Sequence, residues 1–89
     1  MAHMIISEVP RMSREMAQQW MAQLEPKLKS QQGFILHANG PTEAGWQAIE
    51  IWESREDFDR WFNEFIQPMM PPDMAEKTVH HSIEAVVQR

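Results

Sequence analysis

The chain predicts an α+β fold in the order βαββαβ: a four-stranded antiparallel sheet with two helices on one of its faces. Three observations predict it. Two segments carry apolar residues at helical spacing, and four segments alternate with a period of two. Residues that favour turns separate these segments. The second and third alternating segments are joined by a short Gly- and Pro-bearing link, "GPTEAG" at 40–45, which reads as a hairpin turn.

"MIISEV" (4–9) is short, partly alternating and β-branched, and Pro10 ends it as a strand. Ser13 is placed to cap a helix starting at Arg14. Met16, Ala17, Trp20, Met21, Leu24 and Leu28 then form one amphipathic stripe. Pro26 should kink the last turn or end the regular helix near Leu24, and Gly33 is the stop signal. "GFILHAN" (33–39) is the second strand and "GWQAIEIWES" (45–54) the third. Ser54 caps the second helix, with Asp57 in the capping-box position. Phe58, Trp61, Phe62, Phe65, Ile66 and Met69 form its stripe, which reads as core. Pro68 and "MMPPD" terminate it, with one further turn around 73–77. "TVHHSIEAVV" (78–87) alternates again as the fourth strand. This order is that of the ferredoxin-like plait.

A chain of 89 residues supports one domain, with a core small enough that oligomerisation is a live route to stability. The opening "MAHM" reads as a cloning remnant ahead of a native Met4, so the domain is taken as 4–89. The absence of Cys excludes a disulfide framework, a Cys-ligated metal and a thiol nucleophile. A formal net charge of −5 argues against nucleic acid or an anionic membrane as partner. No apolar run approaches bilayer length and no signal-peptide pattern is present, so the expected compartment is the cytoplasm. Four Trp, four Phe and eight Met, with no Tyr, supply large and adaptable apolar surface.

Two helices cover only one face of such a sheet. Parity assigns the faces. The consistently aliphatic set, Phe34, Leu36, Ile49, Ile51, Ile83, Ala85 and Val87, is expected under the helices, joined by Ile5, Ser7 and Val9. The opposite face then receives Ile35, His37, Asn39, Trp46, Ala48, Glu50, Trp52, His80, Ser82, Glu84 and Val86, with Ile6 and Glu8. Apolar walls with a few polar groups are the usual make-up of a small-molecule pocket. Two such faces packed together in a homodimer would enclose one.

"QQGFILHANGP", "GWQAIEIWESREDFDRWF", the Met/Pro break and the alternating last strand resemble the antibiotic biosynthesis monooxygenase family over Met4 to Val87. The resemblance implies a dimeric α+β barrel, with a pocket between sheet and helices or toward the barrel interior. It also implies an oxygenase acting with O₂ and without metal or flavin on phenol- or quinol-type aromatics. Related barrels include haem-degrading enzymes and small-lactone isomerases. The haem-degrading branch uses an axial His on a helix, whereas here His37, His80 and His81 all fall on predicted strands, so no haem is expected.

On this reading His37 and Glu50 are the catalytic candidates. His37 is a general base or a hydrogen-bond donor to a phenol or enol, or else a structural interface residue. Glu50, a carboxylate between two Trp, must be paired, hydrogen-bonded or raised in pKa. It serves either as a base or as the partner of a cation from the other subunit. Ile35, Asn39, Trp46, Trp52 and His80 are the substrate-binding candidates. Trp46 and Trp52 would stack on an aromatic ligand or anchor an interface. Asn39 would polarise a carbonyl or serve the turn beside it. A metal site from His37, His80 and Glu50 is not singled out by spacing, and none is expected. The rival functions are a non-catalytic dimeric barrel that binds a small hydrophobic metabolite, and a cofactor-free isomerase.

Overall fold

A computed structural model of the chain describes residues 2–70 and 77–89. β1 (Ala2–Pro10) leads to α1 (Arg14–Lys29), followed by the hairpin of β2 (Phe34–Pro41) and β3 (Gly45–Trp52). α2 (Arg55–Trp61) continues through a π-helical turn (Phe62–Ile66) and a 3₁₀ turn (Gln67–Met69), and β4 (Lys77–Ile83) closes the order. The sheet is antiparallel throughout with strand order β2-β3-β1-β4, so β1 and β3 are central and β2 and β4 are edges. This is the expected βαββαβ plait.

Local chemistry sets the boundaries. Ser13 Oγ accepts from Met16 N at 3.1 Å and Ser54 Oγ accepts from Asp57 N at 3.2 Å, so both helices start on hydroxyl caps. α1 runs on through Pro26 to Lys29 instead of ending near Leu24. Pro26 and Ala22, whose carbonyl loses its helical donor, are both exposed, and the break in bonding is tolerated there. β1 begins at Ala2, two residues before the expected start, and buries His3. β4 stops at Ile83, short of the expected Val87, and Val87 is 94% exposed. Of the turn expected around 73–77, all but Lys77 lies outside the described residues.

The faces of the sheet are the reverse of those that aliphatic content predicts. Ile5, Ser7 and Val9 do point at the helices, but their partners on β3 are Glu50, Ala48 and Trp46. Directly opposed residues share a face, so the Trp/Glu side of β3 lies under the helices. Trp52 is fully buried among Ile5, Leu24, Leu28, Phe58 and Trp61, while Trp46 packs with Met12 and Ala17. The second helix meets this face with its own aromatics: Trp52 lies edge-on to Phe58, with Trp61 tilted against it, and is also edge-on to Phe34 of β2. Residues of this bulk require the deeper space under helices, and the two Ile side chains do not. Ile49, at 37% exposure, and Val79, at 53%, lie on the uncovered side.

A β-bulge between Phe34 and Leu36 adds the second departure from simple parity. Phe34 faces the helices opposite Trp52, whereas Leu36 pairs with Ile51 on the uncovered side. Ile35 is the extra residue. The uncovered face therefore carries two apolar rows across the strands, Leu36–Ile51–Met4–His81 and Ala38–Ile49–Ile6–Val79.

Gly33 shows why the turn after α1 needs its residue. Its φ is +84°, and a Cβ there would overlap the carboxyl group of Asp57 at the start of α2. Asp57 is buried, accepts from Ser54 Oγ at 2.9 Å and from Arg60 at 3.2 Å, and thus fixes the start of α2 against the end of α1.

Candidate active site

Five side chains on the helix-covered face form one continuous hydrogen-bonded chain. Trp52 Nε1 donates to Glu50 Oε1 at 2.8 Å, and Glu50 Oε2 lies 2.8 Å from His37 Nδ1. His37 Nε2 lies 3.0 Å from Asn39 Nδ2, and Asn39 Oδ1 accepts from Trp46 Nε1 at 2.9 Å. The register places them: His37 is opposite Glu50 and Asn39 opposite Ala48, with alternate residues of β2 and β3 supplying the rest.

The two ends of the chain determine its protons. An indole nitrogen can only donate. Asn39 must therefore turn its oxygen to Trp46 and its amide N–H to His37 Nε2. That ring nitrogen has to be the acceptor, so the proton of the neutral ring sits on Nδ1 and is donated to an ionised Glu50. The half-buried Glu50 carboxylate accepts a hydrogen bond on each oxygen from within the chain.

All of this chain except Trp52 lines a cavity of about 80 Å³ between the sheet and the helices. His37, Asn39, Trp46 and Glu50 contribute its polar side, while Trp20, Met21, Trp61 and Phe62 supply apolar walls. A wider groove of about 580 Å³ opens between α1 and the edge strand β2, lined by Met21, Glu25, Lys29, Ile35 and others. His37, Asn39 and Trp46 line both spaces and stand at their junction. Arg14 lies over the Trp46 ring at 5.5 Å and holds it from the α1 side.

The seven sequence-derived candidates divide accordingly. His37, Glu50, Asn39 and Trp46 come together at the cavity, and Ile35 lines the outer groove at the bulge. Asn39 does not serve the hairpin turn, which Thr42 closes by donating its backbone N–H to Gly45 O and accepting from Gly45 N at its hydroxyl. Trp52 is fully buried beneath the site and reaches it only through Glu50, so it offers no surface to a ligand. His80 lies elsewhere. It sits in the row His37–Glu50–Ile5–His80, three strands from His37 and roughly 14 Å away at the usual strand spacing. There it pairs with His3 at 2.9 Å and packs edge-on to Phe58. Burial lowers the pKa of both rings, and on His3 the neighbouring His80 adds to it. Among the described residues no group of three or more His, Asp or Glu is arranged to hold a metal ion.

The helix stripes, read from the sequence as core alone, supply much of the cavity lining. Trp20, Met21, Trp61, Phe62 and Ile66 were missed as site residues for that reason, and Met70 because it was read as part of the break that ends the second helix. The available signal was their bulk: two stripes so rich in Trp, Phe and Met exceed what a small sheet face can fill by close packing. The π-helical turn over Phe62–Ile66, a feature often found beside functional sites, borders the same space.

Among the described residues no helix is long and apolar enough to cross a membrane. No protein-family profile matches the chain, and no curated protein matches it in sequence. Solved structures do match. The chain is similar to SnoaB, a cofactor-independent oxygenase from Streptomyces nogalater, with a TM-score of 0.62, 10% identity, and coverage of 99% of this chain and 97% of that one. An alanine variant of the same oxygenase matches with a TM-score of 0.62 and 11% identity over the same shares of both chains. The likeness establishes a shared fold across the whole domain.

Proposed function

We propose that this protein is a cofactor-independent oxygenase acting with O₂ on a small phenol- or quinol-type aromatic, with His37 as the base. The observation that carries the reading is the Trp52–Glu50–His37–Asn39–Trp46 chain, four of whose members line a mainly apolar cavity. Direct reaction with O₂ needs an electron-rich carbanion or phenolate. His37 takes the substrate proton at Nε2, and the ionised Glu50 at Nδ1 stabilises the imidazolium that forms. The electron pair stays on the substrate, which transfers electrons to O₂ and forms a C–O bond to give a peroxide. Protonation of the peroxide and loss of water from a CH₂ centre leave a carbonyl, with one oxygen atom in product and one in water. Apolar walls from Trp20, Trp61 and Phe62 exclude water from the intermediate. The similarity to an oxygenase described as cofactor-independent supports the same reading.

The test compares aerobic and anaerobic incubations with anthrone- and quinol-type substrates in wild type and His37→Ala. The expected result is an O₂-dependent product in wild type, with the rate lowered by roughly 10²- to 10⁴-fold in the variant, the usual worth of a positioned base. If wild type yields no such product, the reading fails for those substrates.

The proposal includes a homodimer joined through the uncovered sheet face. Its two rows, apolar except for His81 at one end and with Ile49 and Val79 exposed, form a mainly apolar surface that a second copy would cover. The dimer face is thus separate from the cavity.

A further inference from the structure

We infer that Asn39 is a latch on the base: it caps the lone pair of His37 Nε2 in the resting protein and is displaced by the hydroxyl of an incoming phenol. The inference rests on His37 being the base, as proposed above. In the resting arrangement the one atom of His37 able to take a proton is occupied, because Asn39 Nδ2 lies 3.0 Å from it. The amide is held in that orientation by Trp46, whose indole N–H can bond only to Oδ1. Trp46 is therefore a positioning residue: it decides which end of the amide His37 meets.

The location suits a latch that a ligand operates. Asn39 is exposed, and it stands with His37 and Trp46 where the inner cavity meets the outer groove. A ligand passing from groove to cavity meets this pair. Its hydroxyl replaces the Asn39 amide at Nε2 and donates there. When the proton moves to Nε2, the O–H bond breaks and its electron pair remains on the phenolate oxygen. The released Asn39 N–H donates to that oxygen while Oδ1 stays on Trp46. The imidazolium keeps its Nδ1–H bond to Glu50. The same two groups therefore exclude a ligand that presents no hydroxyl, either directly or as the enol tautomer of a ketone such as anthrone, since such a ligand offers nothing to replace the Asn39 bond. The chemical class selected is a hydroxylated aromatic with an ionisable O–H.

The experiment uses ¹⁵N NMR of the His37 ring in the full chain, followed by titration with 4-nitrophenol, whose phenol and phenolate forms differ in visible absorbance. In the resting wild type a single neutral tautomer is expected, with Nδ1 protonated and Nε2 bare. Asn39→Asp offers acceptors to both Trp46 and His37, so its ring should carry protons on both nitrogens. The bound 4-nitrophenol should then be phenolate in wild type, with the phenolate fraction at least tenfold lower in Asn39→Asp. Trp46→Phe, which frees the amide to rotate, should populate both tautomers, and it serves the test if Asn39→Asp does not fold. A protonated Nε2 in resting wild type, a single unchanged tautomer in Trp46→Phe, or failure of wild type to bind 4-nitrophenol overturns the inference. None of these readouts involves O₂, so they stand or fall separately from oxygenase activity.

Discussion

His37 Nδ1 and Glu50 Oε2 lie 2.8 Å apart on facing strands, each side chain only 13% exposed. The pair is intramolecular, and its second carboxylate oxygen is taken by Trp52. Glu50→Gln should therefore be destabilising despite its matched shape. An amide presents one acceptor and one donor, so one of the two donors facing it is left unmet. Leaving a buried donor unpaired costs about 1–3 kcal/mol. Denaturant unfolding measures this loss, and adding Trp52→Phe removes the orphaned donor. In the double variant the Glu50→Gln increment should be smaller than in the wild-type background. An unchanged increment would show that the Trp52 bond carries no weight.

Gly33→Ala should destabilise the domain by more than about 1 kcal/mol. The added Cβ meets the Asp57 carboxyl in a backbone conformation already unfavourable to alanine. Displacing Asp57 also releases its bonds to Ser54 and Arg60, so the start of α2 should fray. Thermal unfolding with amide exchange at Asp57 and Phe58 checks both effects. Equal stability of the two proteins would mean that Asp57 moves aside freely.

The strand and helix order was legible in the sequence because each element carries a strong period and a definable stop, such as Ser13 and Ser54 at the helix starts. That His37, Asn39, Trp46 and Glu50 share one face was legible too, because they stand at matching parity around one hairpin. Which side of the sheet they occupy was not. Composition favoured burying Ile49 and Ile51, because a lone carboxylate under helices looks prohibitive. Glu50 is tolerated half-buried under the helices because Trp52 and His37 satisfy it, and that depends on rotamers and on the β2–β3 register. The pairing of Ile5 with Glu50 is a long-range fact of the same kind. The bulge at Ile35 breaks parity without any Gly to announce it.

The uncovered face predicts an effect on assembly that leaves the cavity untouched. Ile49→Lys places a charge within one of its rows, between Ala38 and Ile6. Light scattering at micromolar concentration should show a dimer for wild type and a monomer for the variant. The His37 ring resonances should stay in place, since Ile49 points to the other side of the sheet. A monomeric wild type would remove the proposed interface.

The His3–His80 pair predicts loss of stability on mild acidification. Burial lowers the pKa of both rings below the ordinary 6.5, Arg55 and His81 push the same way, and Asp59 opposes. Below that value the unfolded chain binds more protons than the folded one, so stability increases with pH through the window. The contribution is fully present above about 6.5 and is lost as pH falls below it. Two charged rings at hydrogen-bond distance cannot both persist, and β4, an edge strand paired on one side with β1, is the element that should loosen. Melting temperature followed from about pH 8 to about pH 5, above the range where carboxylates dominate, should fall. His80→Asn should flatten the dependence while leaving the Glu50–His37 resonances in place. A melting temperature that falls equally in wild type and His80→Asn would assign the effect to another group.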